Sequence, residues 1–202
     1  QALYYHLPAT STRPRLLDIG TAYGYLLDEA APTFSALGVE ISAAARAVAQ
    51  KRGHQVYLGA YDKAMAEKIG PVEAITLLDT IEHLASPAGT LRTLYQQLKP
   101  EGLLYLTTGD IDSWLSRLMK KNWRLMTPPQ HTYFFSRQTL LTLLRKTGFT
   151  ILRADRPWKI VPLGLAAYQV GARTGLRIRP LERVSAGLPL NLFDTIRIIA
   201  RK

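Results

Sequence analysis

Cysteine is absent from the 202 residues. That excludes disulfide stapling, thiolate metal ligands and thiol nucleophiles, and it fits a reducing, cytoplasmic setting. Acidic residues are scarce as well: 15 Asp and Glu face 26 Lys and Arg, for a formal net charge of +11. No Lys/Arg block of about five residues occurs, so the excess reads as a basic solvated surface rather than a nucleic-acid tail. No apolar run reaches the roughly 18 residues that a membrane-spanning helix needs, and no secretory leader pattern opens the chain. Internal repeats and low-complexity segments are missing too. Gln1 is not an initiator Met, which leaves room for a longer natural N-terminus.

What is present is ordinary for a folded domain. Hydrophobic residues make up 47% and charged residues 20%, enough for a substantial core in one domain over 1–202. Residues 1–14 are irregular, broken by Pro8 and Pro14. Apolar runs ending at Asp18–Gly20, Glu40, Leu58, Leu78, Thr107 and Ala154 predict strands one to six, and Phe193–Ala200 predicts the last. Between them, helices are predicted near 23–31, 43–51, 62–68, 88–98, 113–120 and 136–147, with Ser42 a fitting N-cap and Pro87 a fitting first-turn residue. Strands alternating with helices predict an α/β, Rossmann-like doubly wound sheet, parallel and covered on both faces. Residues 156–190, rich in Pro and Leu and interleaved with Arg and Lys, form an insertion before the last strand. It suits a lid over a cleft or a dimer interface, ahead of an amphipathic segment lying on anionic membrane, because Pro and Gly interrupt any long helix.

The organising stretch is Arg15-Leu16-Leu17-Asp18-Ile19-Gly20-Thr21-Ala22-Tyr23-Gly24. A strand ends on an acid, turns through glycines that let the backbone bend and a ligand approach, and re-enters a helix whose first N–H groups are free. Glu40 closes the next strand about 20 residues on, where an acid can accept hydrogen bonds from both ribose hydroxyls of a nucleoside. The spacing Asp-x-Gly-x-Ala-x-Gly is neither the dinucleotide fingerprint nor a phosphate-binding P-loop.

It resembles motif I of the class I S-adenosylmethionine-dependent methyltransferases, usually Asp/Glu-x-Gly-x-Gly-x-Gly, with Ala22 in place of the middle glycine. Leu98-Lys99-Pro100-Glu101-Gly102 resembles the family's Leu-Lys-Pro-Gly-Gly, with Glu101 in place of one glycine. Val39-Glu40-Ile41-Ser42, Ile81-Glu82-His83-Leu84 and His131-Thr132-Tyr133-Phe134-Phe135-Ser136 follow in the family's order, from about Arg13 to the C-terminus. The subgroup it looks most like contains the O-methyltransferases of ubiquinone synthesis. The resemblance implies a seven-stranded sheet with its last strand antiparallel, and S-adenosylmethionine held by Asp18, Gly20, Thr21, Ala22, Gly24, Glu40, Ile41, Ala60, Tyr61 and Leu78. It implies a small-molecule acceptor methylated at oxygen.

Asp79, Glu82 and His83 follow strand four at its carboxyl end, where α/β sheets place their sites. In a helical turn they share one face, and with His131 they offer a ligand set for Mg²⁺, Mn²⁺ or Zn²⁺. The pattern resembles the Glu-x-x-Glu-His of ubiquinone O-methyltransferases and of small-RNA 2′-O-methyltransferases. The same His83 or His131 is alternatively a general base for an acceptor hydroxyl. Trp114, Trp123, Tyr133, Phe134 and Phe135 read as the core of a lid ahead of pocket wall. An RNA methyltransferase, and a catalytically silent nucleoside-binding regulator, are the competing readings; nucleic acid ranks below a small molecule because no RNA-reading module is present.

Overall fold

The computed structural model describes residues 6–7, 13–162, 164, 187–191 and 193–202. Nine strands and six α-helices occur among them. The main sheet contains β1 (Arg15–Ile19), β2 (Ser35–Glu40), β3 (Gln55–Leu58), β4 (Val72–Leu78), β5 (Leu98–Gly109), β6 (Thr150–Asp155) and β9 (Thr195–Arg201). Its order is β3-β2-β1-β4-β5-β9-β6. β1 pairs in parallel with β2 and β4, and β5 continues the parallel set beside β4, while β9 runs antiparallel between β5 and β6. The seven-stranded sheet with an antiparallel last strand is the one expected from the sequence. The strand order reverses between β1 and β4, and in such sheets the crevice at that point takes the ligand.

The helices are α1 (Tyr25–Ala30), α2 (Ala43–Lys51), α3 (Lys63–Ile69), α4 (Pro87–Gln97), α5 (Trp114–Met119) and α6 (Arg137–Lys146). Local chemistry starts several of them. Ser42 and Asp62 accept the third-residue amides of α2 and α3, and Ser136 with Thr139 forms a reciprocal cap on α6. One face of the sheet packs Leu17, Ile75, Leu77, Leu104, Leu106 and Ile198 beneath Leu91, Leu94, Leu140 and Leu144. The opposite face carries a smaller cluster of Leu16, Ala30, Phe34, Ala74, Leu103 and Ile199.

The predicted insertion contributes a two-stranded ladder of β7 (Lys159–Pro162) and β8 (Gly187–Leu190). Its residues 163 and 165–186 lie outside the described residues, so the lid, dimer and membrane expectations for that stretch do too. Most of the segment 1–14 is likewise outside them. Among the described residues, no helix is long and apolar enough to cross a membrane.

Candidate active site

β1 ends in a turn that needs unusual backbone angles. Gly20, Ala22 and Gly24 all have positive φ, at 77°, 47° and 82°. A Cβ on Gly20 would stand 2.7 Å from the Thr80 hydroxyl, and one on Gly24 2.9 Å from the His54 ring, so both positions exclude a side chain. Ala22 adopts the left-handed region with a methyl group present, which costs an L-residue about 1–2 kcal/mol. Ala22→Gly is therefore expected to raise the unfolding free energy by about 1 kcal/mol, after the added freedom of the unfolded chain is subtracted. Chemical denaturation should read this as a higher midpoint with an unchanged slope.

Glu40 closes β2 and is 92% shielded, with a relative exposure of 8%. Its two carboxylate oxygens accept different backbone amides, Oε2 from Ala22 at 2.8 Å and Oε1 from Ser42 at 2.7 Å. Each oxygen keeps a lone pair for a further donor. The carboxylate is thus fixed between the glycine turn and the α2 N-terminus. It lines a cavity of about 620 Å³ together with Gly20, Ile41, Ala60, Tyr61 and His83. That volume falls within the usual 300–1,000 Å³ of ligand pockets. A carboxylate with acceptor capacity left at the wall of a crevice of that size could hold the hydroxyls of a ribose.

The other expected cofactor residues are distributed differently. The Ala22 amide orients Glu40, Gly24 caps α1, and Thr21 is buried in the turn. Asp18 is 3% exposed beneath the turn and accepts the Thr76 hydroxyl at 2.6 Å. Leu78 lines a separate cavity on the α1 side of β4. The two-residue alternation of a strand explains this: Ile75 and Leu77 face the larger core, so Thr76 and Leu78 face the other way. Tyr61 is buried, and its hydroxyl donates to Gln97 Oε1 at 2.6 Å. Burial, with Asp62 nearby, raises its pKa above the ordinary phenol value.

Burial pushes the Asp18 carboxyl up to about 6, opposed by the Thr76 hydrogen bond and reinforced by the charge of Glu40. Between pH 4 and 6 the folded chain then keeps a proton that the unfolded chain has released. The group's contribution to stability is largest in acid, falls as pH rises through that window, and is flat above it. Asp18→Asn removes the titration while keeping an oxygen for Thr76. The stability difference between variant and parent should grow in the variant's favour from pH 4 to pH 7, by roughly 2–3 kcal/mol. Urea midpoints across that range measure it.

Past β4 the chain turns sharply. Asp79 has φ 47°, and its amide donates to the Thr107 carbonyl at 3.0 Å. A short 3-10 turn follows at Ile81–His83. The expected shared helical face of Asp79, Glu82 and His83 does not form, because the left-handed residue turns Asp79 toward Thr107, whose hydroxyl donates to it at 3.0 Å. Asp79 accordingly lies apart from the cluster of Glu82, His83 and His131, in which one potential ligand atom from each lies within 4.8 Å of the others. The two imidazoles meet edge to face at 4.7 Å between centroids. His83 Nδ1 donates to the Gln130 carbonyl at 2.7 Å and His131 Nδ1 to the Leu125 carbonyl at 2.8 Å. A carbonyl only accepts, so Nδ1 carries hydrogen in both rings and Nε2 holds the lone pair when the ring is neutral. Glu82 is buried and accepts the Thr108 hydroxyl at 2.9 Å. Burial raises its carboxyl pKa, with Asp79 acting in the same direction against Thr108 and His83.

The loop bearing His131 is held in place from both sides. The Glu82 carbonyl accepts the amides of Thr132 and Tyr133 at 3.0 and 3.1 Å. At its other end Trp123 Nε1 and both Arg124 donors reach the buried Asp194 carboxylate at 3.0 Å. Of the five expected lid aromatics, Trp123 and Phe135 are buried, whereas Trp114, Tyr133 and Phe134 are exposed. The threonines at 76, 80, 107 and 108 were not singled out from sequence. Their only signal is a polar residue in an otherwise apolar strand or at its end.

A glycine turn, a strand-end glutamate and a crevice at the point of strand-order reversal define a Rossmann-like domain of the nucleoside-binding kind. The chain belongs to the methyltransferase domain family, whose model matches residues 2–154. It is 32% identical over 103 residues to a Pseudomonas aeruginosa ubiquinone biosynthesis O-methyltransferase, covering 46% of this chain and 44% of that protein. A Caulobacter vibrioides protein of the same name is 31% identical over 100 residues, covering 46% and 40%. The match thus spans less than half the length of these curated relatives. Among solved structures, a SAM-dependent methyltransferase from Archaeoglobus fulgidus shares the fold at a TM-score of 0.62 and 20% identity, covering 94% of this chain and 86% of the other. An S-adenosylmethionine-dependent methyltransferase from Mesorhizobium loti gives 0.62 at 19% identity, covering 100% and 96%.

Proposed function

We propose that this chain is an S-adenosylmethionine-dependent methyltransferase that modifies a small-molecule acceptor at oxygen. The observation that carries the reading is Glu40, immobilised by the amides of Ala22 and Ser42 at the wall of the 620 Å³ crevice with acceptor capacity left for ribose hydroxyls. S-Adenosylmethionine, when bound, supplies an electrophilic methyl group on a cationic sulfur. The chain's own part is to hold the nucleoside and align the acceptor, since displacement at carbon depends chiefly on alignment. His83 borders the same crevice. Its Nε2, whose lone pair the Nδ1–Gln130 hydrogen bond leaves free in the neutral ring, would accept the proton of an acceptor hydroxyl, with His131 beside it. Oxygen as the accepting atom draws on the names of the partial relatives.

The convergence of Glu82, His83 and His131 supports a second role for the same group, as ligands to a divalent cation. Two imidazole nitrogens and one carboxylate suit Mn²⁺ or Zn²⁺ better than Mg²⁺. Such a cation would also compensate the buried charge of Glu82.

Thermal unfolding with S-adenosylhomocysteine tests the cofactor reading. At a hundred times its dissociation constant, ligand should stabilise the fold by about 2.7 kcal/mol, a rise in Tm of roughly 5–10 °C. No shift at millimolar ligand would refute it. Turnover with phenolic acceptors, assayed by mass spectrometry, separates the two roles of the histidines. Loss on chelation and recovery with Mn²⁺ or Zn²⁺ supports the ligand role; indifference to chelator with a large loss in His83→Ala supports the base.

A further inference from the structure

We infer that the outer face of α5, with the loop tips beside it, is a docking surface for the headgroup region of an anionic lipid bilayer. α5 is turned inside out. Its small polar residues face the protein: Ser113 and Ser116 are 2% and 4% exposed, and the Ser116 hydroxyl donates to the Ile111 carbonyl. Trp114 and Leu118, one turn apart on the other face, are 58% and 69% exposed. Apolar burial favours the reverse, with tryptophan and leucine inside and the serines in water. A helix built this way presents its apolar side chains to a surface outside the chain.

The neighbouring loop tips extend the patch. The Ile111 amide donates to the Phe135 carbonyl and the Asp110 amide to the Asp194 carbonyl, both at 2.9 Å. The segments before α5, around Phe135 and before β9 therefore converge at the carboxyl end of β5. Phe134 and Phe193, each next to one of these ties, are exposed. Phe193 also has φ 55°, a left-handed backbone that is costly for a bulky residue and is concentrated at contact positions.

Charge selects the occupant. From Ser113 to Arg137 there are five Lys and Arg and no Asp or Glu. Arg124 is tied to Asp194, and Arg117 reaches Asp112 at 3.4 Å. Lys120 and Lys121 are exposed and enter no ion pair among the described residues. Aromatic rings with lysines beside them are the pattern of a protein surface seated at headgroup depth. Each lysine near an anionic membrane adds about fivefold in affinity. Stacked nucleic-acid bases would use the rings of Trp114 and Phe134 but not the aliphatic Leu118.

Co-sedimentation of the full chain with sucrose-loaded vesicles tests the assignment. Phosphatidylcholine mixed with an equal amount of phosphatidylglycerol should bind at least about tenfold more strongly than phosphatidylcholine alone. Trp114→Ser combined with Leu118→Ser leaves the charge unchanged and should weaken that binding at least about tenfold. Lys120→Gln combined with Lys121→Gln should weaken it by about tenfold to thirtyfold. Arg145→Gln combined with Lys146→Gln removes equal charge at the other end of α6, which leads into β6 beside Arg201, and should change binding less than about threefold. All six positions are exposed, so each variant should keep the parental unfolding midpoint. Equal binding to both vesicle types, or binding to neither, would overturn the assignment. So would equal losses in the two charge variants with none in the Trp114 and Leu118 variant, which would mark the attraction as a general effect of net charge +11. Binding of a single-stranded oligonucleotide, or self-association, that depends on Trp114 while vesicles stay unbound would assign the surface to that partner instead.

Discussion

Glu40→Ala should bind S-adenosylhomocysteine at least about a hundredfold more weakly than the parent chain, a loss of about 3 kcal/mol. Two effects combine. The carboxylate's own bonds to the ribose hydroxyls disappear, and charge-assisted bonds of that kind are the strong ones. The amides of Ala22 and Ser42, which the carboxylate now joins at 2.8 and 2.7 Å, lose their common acceptor, so the crevice also loses its shape. Glu40→Gln separates the contributions, since an amide oxygen can accept from one of those N–H groups while its NH₂ opposes the other. Its affinity should fall between parent and alanine. Calorimetry at neutral pH gives both values. Affinity within threefold of the parent in Glu40→Ala would mean that the nucleoside does not sit on this residue.

Asp194→Ala should be the most destabilising single change near the site, at about 3 kcal/mol or roughly 10 °C in Tm. The carboxylate is buried and receives three donors, one from Trp123 and two from the Arg124 fork. Truncation strands a guanidinium and an indole N–H in the protein, and an uncompensated buried partner costs more than the pair contributes. Removing the charge from both sides, as Asp194→Leu with Arg124→Met, should recover much of the loss. Denaturation midpoints of the single and double variants form the required cycle. An additive result would show that the pair does not couple. Because the same residues anchor the loop that carries His131, Asp194→Ala should also reduce turnover beyond what its lower stability explains.

The sheet and the position of Glu40 beside the glycine turn were readable in the sequence because each rests on local rules. Asp18–Gly20 and Glu40 end strands that alternate with capped helices, and the order of those elements is enough to place Glu40 beside the glycine turn. The two departures from the family's glycine pattern were also informative. Ala22 and Glu101 both occupy left-handed backbone, at φ 47° and 63°, the conformation for which glycine is favoured. What could not be read depended on long-range placement. The expected grouping of Asp79 with Glu82, His83 and His131 failed on one backbone angle, since φ 47° at Asp79 breaks the assumed helical face. His54 meets Asp28 Oδ1 at 2.6 Å, an acid 26 residues away that no local spacing links to it. The bonds Thr76–Asp18 and Thr108–Glu82 join different strands and turns. No local signal marks such threonines apart from others in strands.

The position of β9 has a consequence for how the molecule is assembled. This strand is the last of the sheet's strands in sequence but lies between β5 and β6, joined to both, and it buries Ile196, Ile198 and Ile199. Until it inserts, β5 and β6 present two bare ladder edges with apolar faces, the arrangement most prone to pairing with another chain. Acquisition of the native state therefore waits on contacts between residues some ninety positions apart, such as Leu104 with Ala200, and such non-local closure is slow. A refolding intermediate without β9 would be the species that aggregates, and yield on dilution from denaturant should fall steeply as protein concentration rises.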